Sequence, residues 1–346
     1  MIHFRLIRLK ILRWQEDSIQ KSKRKKTEMK TPKKVKLANI PTPLEIIKYQ
    51  NKKFLMKRDD LTGCELSGNK VRKLEYIISD AIRNKADIIF TCGGEQSNHA
   101  RATTIAAKKF GIPVKLFLWG NERKIPSGNL FLNKMYGAEI FYLDKDDYEK
   151  VNDIMQYQRE KLLRKNLNAY VIPEGGSTTN GIFGYFSFVI ELSRQIDLKK
   201  IKGIVTASGS GGTSAGILAA VSYLNLNLDV VAVNVLYPKE VITRKINNLA
   251  EAFNLEYNLN TTIKSENLVV LDGYSEEGYK SISKDKIKLI RNFAEENGIL
   301  FDPAYTGKAF KAYYENYLSK NLGMKYIFVH TGGLFGLFGR EKEYLL

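Results

Sequence analysis

From residue 37 onward, short runs rich in β-branched and aromatic residues alternate with longer runs whose apolar positions recur every three or four residues. The short runs KFLMKRD, ADIIFTCGG, VKLFLW, EIFYLD, AYVIPEGG, GIVTASGSGG, DVVAVNVL, ENLVVLDGY and KYIFVHTGG read as strands. Residues 70–84, 98–110, 129–136, 148–165, 180–196, 213–225, 239–254, 283–297 and 306–320 read as helices. The alternation predicts an α/β fold, with doubly wound parallel sheets covered by helices on both faces. Ligands of such folds bind beyond the carboxyl ends of the strands. Four strands run there into polar glycine turns, TCGGEQSNHAR, IPEGGSTTNG, TASGSGGTSAG and VHTGGLFG, which should share one rim. A single turn of this kind is only a connection. Four together point to a small anionic ligand held largely by backbone.

Residues 1–36 break the pattern. They hold 13 of the 55 Lys and Arg residues and 3 of the 37 acids, so more than half of the net charge of +18 sits there. KSKRKKTEMKTPKKVK is poor in apolar residues and is expected to be a solvated, disordered tail, with Met29 as an alternative start. Without that tail the charge argument for a nucleic-acid partner weakens. No run of about 18 apolar residues suggests a membrane span. Two cysteines, Cys64 and Cys92, are too few for a disulfide framework and fit a reducing cytoplasm. With three histidines and no HExxH or paired CxxC, no metal site is expected.

Two stretches carry chemistry. In ASGSGGTSAGI the glycines at 209, 211 and 212 let backbone approach an anion, and Ser210 and Thr213 add hydroxyls at a helix start. The stretch is neither GxGxxG nor a Walker A loop, so a single phosphate is favoured over a nucleotide. In SGNKVRKLEY, Lys70 stands where a loop becomes a helix, near Arg58, Arg72 and Lys73. Neighbouring cations and burial both lower a lysine's pKa, and a neutral amine condenses with aldehydes. A phosphate-bearing aldehyde accounts for both stretches, and that cofactor is pyridoxal phosphate.

SGNKVRKLEY, GGEQSNHARATTIAA, GSGGTSAG, DPAYTGKA and HTGGLFG, in this order, resemble the D-cysteine desulfhydrase and 1-aminocyclopropane-1-carboxylate (ACC) deaminase family over about residues 37–340. The resemblance implies a two-domain α/β fold like the tryptophan-synthase β subunit, fold type II of pyridoxal-phosphate enzymes. Residues 37–72 and 182–346 would form the large cofactor domain and 73–181 the small one. It implies that Lys70 links to the cofactor and moves the substrate's α-proton. Asn98 would meet the cofactor's phenolic oxygen. Ser97 with the N–H groups of Asn98 and His99 would cradle the substrate carboxylate, and in the deaminase branch the equivalent serine is also read as a nucleophile. Gly209, Ser210, Gly211, Gly212 and Thr213 would cup the phosphate with Lys73. Tyr274 and Tyr305 would flank the reacting carbons, and Thr306 would meet the pyridine nitrogen. A homodimer is also implied. The plainer alternatives are a helix N-cap for Asn98 and core aromatics for Tyr274 and Tyr305.

In ring-opening deaminases of this family a carboxylate faces the pyridine nitrogen, where YTGK supplies the neutral hydroxyl of Thr306. Elimination of a thiolate, a good leaving group, needs less electron withdrawal. The resemblance therefore implies a cytoplasmic lyase in which sulfide leaves the β-carbon of D-cysteine, giving pyruvate and ammonia. ACC deamination and elimination of the sulfonate of cysteate are the alternatives. Two departures bear on substrate choice. Ser67 replaces the glycine usual in GGNK, and Glu95 stands where an apolar residue is common.

Overall fold

The computed structural model describes residues 29–345 except 277, 279 and 280. The expected tail, as far as residue 28, lies outside the described residues. In chain order the main elements are β1 (Leu44–Tyr49), β2 (Lys52–Arg58), α1 (Asn69–Arg83), β3 (Ile88–Gly94), α2 (Asn98–Lys108), β4 (Val114–Trp119), α3 (Gly128–Met135) and β5 (Glu139–Leu143). There follow α4 (Lys145–Glu149), α5 (Val151–Leu163), β6 (Ala169–Ile172), α6 (Thr179–Ser193), β7 (Gly203–Ser208), α7 (Gly212–Tyr223), β8 (Asp229–Asn234) and α8 (Lys239–Tyr257). The chain closes with β9 (Leu268–Leu271), α9 (Lys284–Asn297), α10 (Thr306–Tyr313), β10 (Tyr326–His330), α11 (Leu334–Leu337) and α12 (Glu341–Leu345).

Two sheets result. The larger has the order β1-β2-β10-β7-β8-β9, and the smaller, within residues 88–172, the order β5-β4-β3-β6. Every pairing is parallel except β1 with β2, which is antiparallel with Leu44 opposite Lys57. The sheets are covered on both faces, so β7 is buried along its whole length, as its unbroken apolar run predicts. β1 is an edge strand with Ile46 exposed, and its short LEIIKY pattern was not read as a strand. The expected helix over 148–165 is divided at Lys150 into α4 and α5.

Helix α1 runs from the large sheet to the small one, and the expected domain boundary at 72/73 falls inside it. Val71, Leu74, Ile77, Ile78 and Ala81 form its buried stripe. The same helix buries Arg72, whose guanidinium makes two bonds of 2.8 Å to Asp59 and one of 2.8 Å to Glu191. Lys57 joins the same carboxylate at 2.6 Å. Residues 29–36, expected as part of the tail, instead dock on the core. Met29 packs on the large-sheet core, Lys34 pairs with Glu75 at 2.8 Å, and Val35 donates to the Glu75 carbonyl at 3.0 Å.

Candidate active site

All four glycine turns meet in one cavity of about 390 Å³ between the two sheets. Lys70 enters it from the first turn of α1. The preceding Gly68 has φ +89°, and a Cβ there would lie 2.8 Å from the Thr331 carbonyl. Only glycine lets the SGNK turn lie this close to the HTGG turn. Asn69 then donates its backbone N–H to that carbonyl at 3.0 Å. Lys70 keeps some accessible surface, but its amine is surrounded by protein, and burial lowers its pKa to about 8 against the pull of Asp302 and Glu174. Of the three neighbouring cations, only Lys73 feels the charge of Lys70. Arg58 is spent on Asp60 and Glu45, and Arg72 on Asp59 and Glu191.

The second wall is the turn after β7. Gly211, at φ +85°, caps α7 in the left-handed region. A Cβ on Gly212 would sit 2.5 Å from Ser177 Oγ and 2.7 Å from Lys73 Nζ, so the missing side chain leaves a concavity facing a cation. Lys73 is 1% exposed and donates to the Gly175 carbonyl at 3.1 Å. Burial, then the charge of Lys70, pushes its pKa well down, so an anion here would satisfy a charge that the protein alone leaves poorly compensated. Gly209, Ser210 and Thr213 complete the lining.

Ser97, Asn98 and His99 face the cavity from the start of α2. The N-cap is Ser97, whose Oγ accepts from the Ala100 N–H at 3.1 Å, so capping is not the role of Asn98. Asn98 accepts from Asn129 Nδ2 at 2.9 Å, which fixes its amide. The His99 ring is tied to Thr91 at 2.9 Å, and burial followed by the charges of Lys70 and Lys73 keeps it neutral. Tyr305 lines the cavity with its ring centroid 6.0 Å from Lys70 Nζ.

Two expected residues stand elsewhere. Tyr274 is not in the cavity wall. Its hydroxyl donates to Glu315 at 2.7 Å and accepts from Asn316 at 3.2 Å. Thr306 is fully buried behind the wall. Its hydroxyl accepts from the Asp302 N–H at 2.9 Å and donates to the Asp302 carboxylate, which also accepts the Thr306 N–H at 2.7 Å at the first residue of α10. Thr331 lines the cavity instead. Glu95 is also outside the lining. It accepts from Arg123 at 2.6 Å and from the Asn121 N–H at 3.1 Å, so its charge holds the loop after β4. Ser67 offers its carbonyl to Arg101 at 3.1 Å.

Other lining residues were not singled out from sequence. Asn69 donates to Thr213 at 3.1 Å and joins the lysine turn to the glycine turn. Ser210 of the lining bonds Ser177 behind it at 2.8 Å. Glu174 accepts from Tyr148 and from Tyr237, each at 2.9 Å. The IPEGG turn was a visible signal for Glu174, whereas the two tyrosines lie in no motif. Among the described residues no cluster of His, Cys, Asp or Glu is arranged to hold a metal ion, and no helix is long and apolar enough to cross a membrane.

A buried amine of lowered pKa, a glycine concavity facing Lys73 and the aromatic face of Tyr305 together fit pyridoxal phosphate. Comparisons with known proteins agree. Residues 35–332 match the family model described as pyridoxal-phosphate dependent enzyme. A Thermotoga maritima protein with the provisional name 1-aminocyclopropane-1-carboxylate deaminase is 38% identical over 317 residues, covering 90% of this chain and 99% of that protein. The mitochondrial bifunctional D-cysteine desulfhydrase/1-aminocyclopropane-1-carboxylate deaminase of Arabidopsis thaliana is 32% identical over 327 residues, or 89% and 80% of the two chains. A crystal structure of an ACC deaminase homologue superposes with a TM-score of 0.83 at 36% identity, covering 91% of this chain and 96% of that one.

Proposed function

The chain belongs to the pyridoxal-phosphate dependent enzymes, and from that premise we propose that it is a lyase eliminating the β-substituent of D-cysteine, or of a close analogue, to release pyruvate and ammonia. The cofactor supplies an aldehyde that captures amines and a ring that withdraws electrons from the α-carbon. Lys70 would hold it covalently, and Lys73 and the 209–213 turn would hold its phosphate. Lys70 Nζ would serve as the base for the substrate's α-proton. Ser97 and the N–H groups of Asn98 and His99 hold the substrate carboxylate at the start of α2, where backbone donors lack helical partners. Tyr305 orients the reacting carbons. Two unpaired cysteines, Cys64 exposed and Cys92 buried, fit a reducing cytoplasm. Exposed Phe131 and Met135 on α3, with Leu334 and Phe338 at α11, suit a homodimer.

The observation that carries the elimination reading is that Thr331, whose side chain is a neutral hydroxyl, lines the cavity at the HTGG turn, where Asp302 does not. The carboxylate of Asp302 is committed to the Ala304, Tyr305 and Thr306 N–H groups. A neutral partner for the pyridine nitrogen withdraws fewer electrons, which suffices for a leaving thiolate and serves ring opening poorly. The second reading is ACC deamination to 2-oxobutyrate, favoured by the name of the 38%-identical relative. The test compares kcat/KM for D-cysteine, L-cysteine, cysteate and ACC on one preparation, assaying keto acid and sulfide. A higher value for ACC than for D-cysteine refutes the elimination reading.

A further inference from the structure

We propose that Glu174 selects the substrate by charge, admitting neutral and cationic β-substituents and rejecting anionic ones; this rests on the lyase reading above. Glu174 lines the same cavity as Lys70 and Tyr305 and is close enough to raise the pKa of Lys70. It is held from two sides. Tyr148 comes from α4 beside the small sheet, and Tyr237 from the turn after β8 in the large one. Burial, with Glu174 among the further causes, keeps both phenols well above their ordinary pKa, so they remain donors at working pH. Two donors on one carboxylate fix its position.

The other cavity charges are committed or screened. Lys70 serves the reacting aldehyde and Lys73 the phosphate. Lys145 and Glu149 are both exposed on α4 at the rim, where they oppose one another in solvent. A substrate's distal group therefore meets the fixed charge of Glu174. A sulfonate or carboxylate at the β-carbon would stand near a like charge in a partly desolvated site, whereas a thiol, a chloride or an ammonium would not. Neither tyrosine can relieve that repulsion, because each already spends its hydroxyl proton on Glu174.

The test titrates holoenzyme with D- and L-forms of aspartate, serine and 2,3-diaminopropionate, which are similar in size and differ in side-chain charge. Binding is followed as the change in cofactor absorbance, so no turnover is needed. In the unmodified enzyme the anionic member should bind at least about tenfold more weakly than serine. E174Q should narrow that gap to about threefold or less, and E174D, which keeps the charge and shifts it away from the tyrosines, should retain it. Equal affinity for the anionic and neutral members, or an unchanged ratio in E174Q, overturns the proposal. A charge gap that closes in E174Q, with no keto acid from D-cysteine or ACC, upholds the role of Glu174 and removes the lyase reading instead.

Discussion

The amine of Lys70 donates to the side-chain oxygen of its own neighbour, Asn69, at 3.1 Å. Asn69 donates in turn to Thr213 at 3.1 Å. One amide thus couples the lysine turn to the glycine turn across 144 residues of sequence. The lysine proposed to hold the cofactor is thus tied to the element proposed to hold its phosphate.

The lowered pKa of Lys70 sets a pH dependence. Its amine loses its proton near pH 8 rather than near the ordinary 10.5. The neutral form attacks the aldehyde, so cofactor capture by apoenzyme should accelerate as pH rises through about 8 and level off above it. Between pH 7 and 9 the rate should rise roughly tenfold. Stopped-flow absorbance after mixing apoenzyme with pyridoxal phosphate measures this. A rate still climbing in proportion to hydroxide at pH 10 would show an unperturbed lysine.

Gly212→Ala tests the cup. The added Cβ would lie 2.5 Å from Ser177 Oγ and 2.7 Å from Lys73 Nζ, in the space assigned to a phosphate oxygen. Cofactor affinity should fall by about tenfold or more, equivalent to about 1.4 kcal/mol. Equilibrium dialysis of apo variant against pyridoxal phosphate gives the constant. Near-normal affinity would place the phosphate elsewhere.

Thr331 and Thr306 separate by different readouts. Thr331→Val removes a hydroxyl from the cavity wall and should alter the cofactor's absorbance and kcat with little loss of fold stability. Thr306→Val removes the hydroxyl that serves Asp302 inside the protein, so it should lower Tm, at a cost of about 1–3 kcal/mol for an unsatisfied buried group. Absorbance spectra and thermal melts on both variants decide it. A spectral change confined to Thr306→Val would restore that residue as the ring partner.

What could be read from the chain follows from how local each feature is. Lys70 and the 209–213 cup lie in contiguous loop-to-helix turns, where backbone geometry and chemistry are written together. That Thr306 stands behind the cavity wall depends on its hydroxyl bonds to Asp302, a contact set at the start of α10 and not readable from the YTGK motif. Tyr274 lacked any local signature, and in the fold Glu315, 41 residues later, takes its hydroxyl. Glu174 was visible in IPEGG, but its partners lie 26 and 63 residues away. The edge strand β1 escaped because one face is solvated and its six residues are bracketed by polar turns.

The ion cluster behind α1 gives the last prediction. Arg72 pairs with Asp59 and Glu191, and Asp59 also accepts from Tyr185 at 2.6 Å and Thr42 at 2.8 Å. Arg72→Met strands the fully buried Asp59 carboxylate, and removing one partner of such a pair costs about 3–5 kcal/mol. Burial alone would raise the pKa of Glu191, but bonds to Arg72 and then Lys57 outweigh it and hold the value at about 2, below the ordinary 4.5. A depressed carboxylate contributes stability that is full above the ordinary value and is lost as pH falls through the folded one. The unmodified protein should therefore lose stability between about pH 5 and 2, and Arg72→Met should start lower and fall less steeply, since Glu191 then keeps only Lys57 and the Thr42 N–H. Urea midpoints at pH 7, 5 and 3 on both proteins measure the two slopes. Parallel curves would mean that Arg72 does not set the ionisation of Glu191, and that Lys57 and the Thr42 N–H suffice.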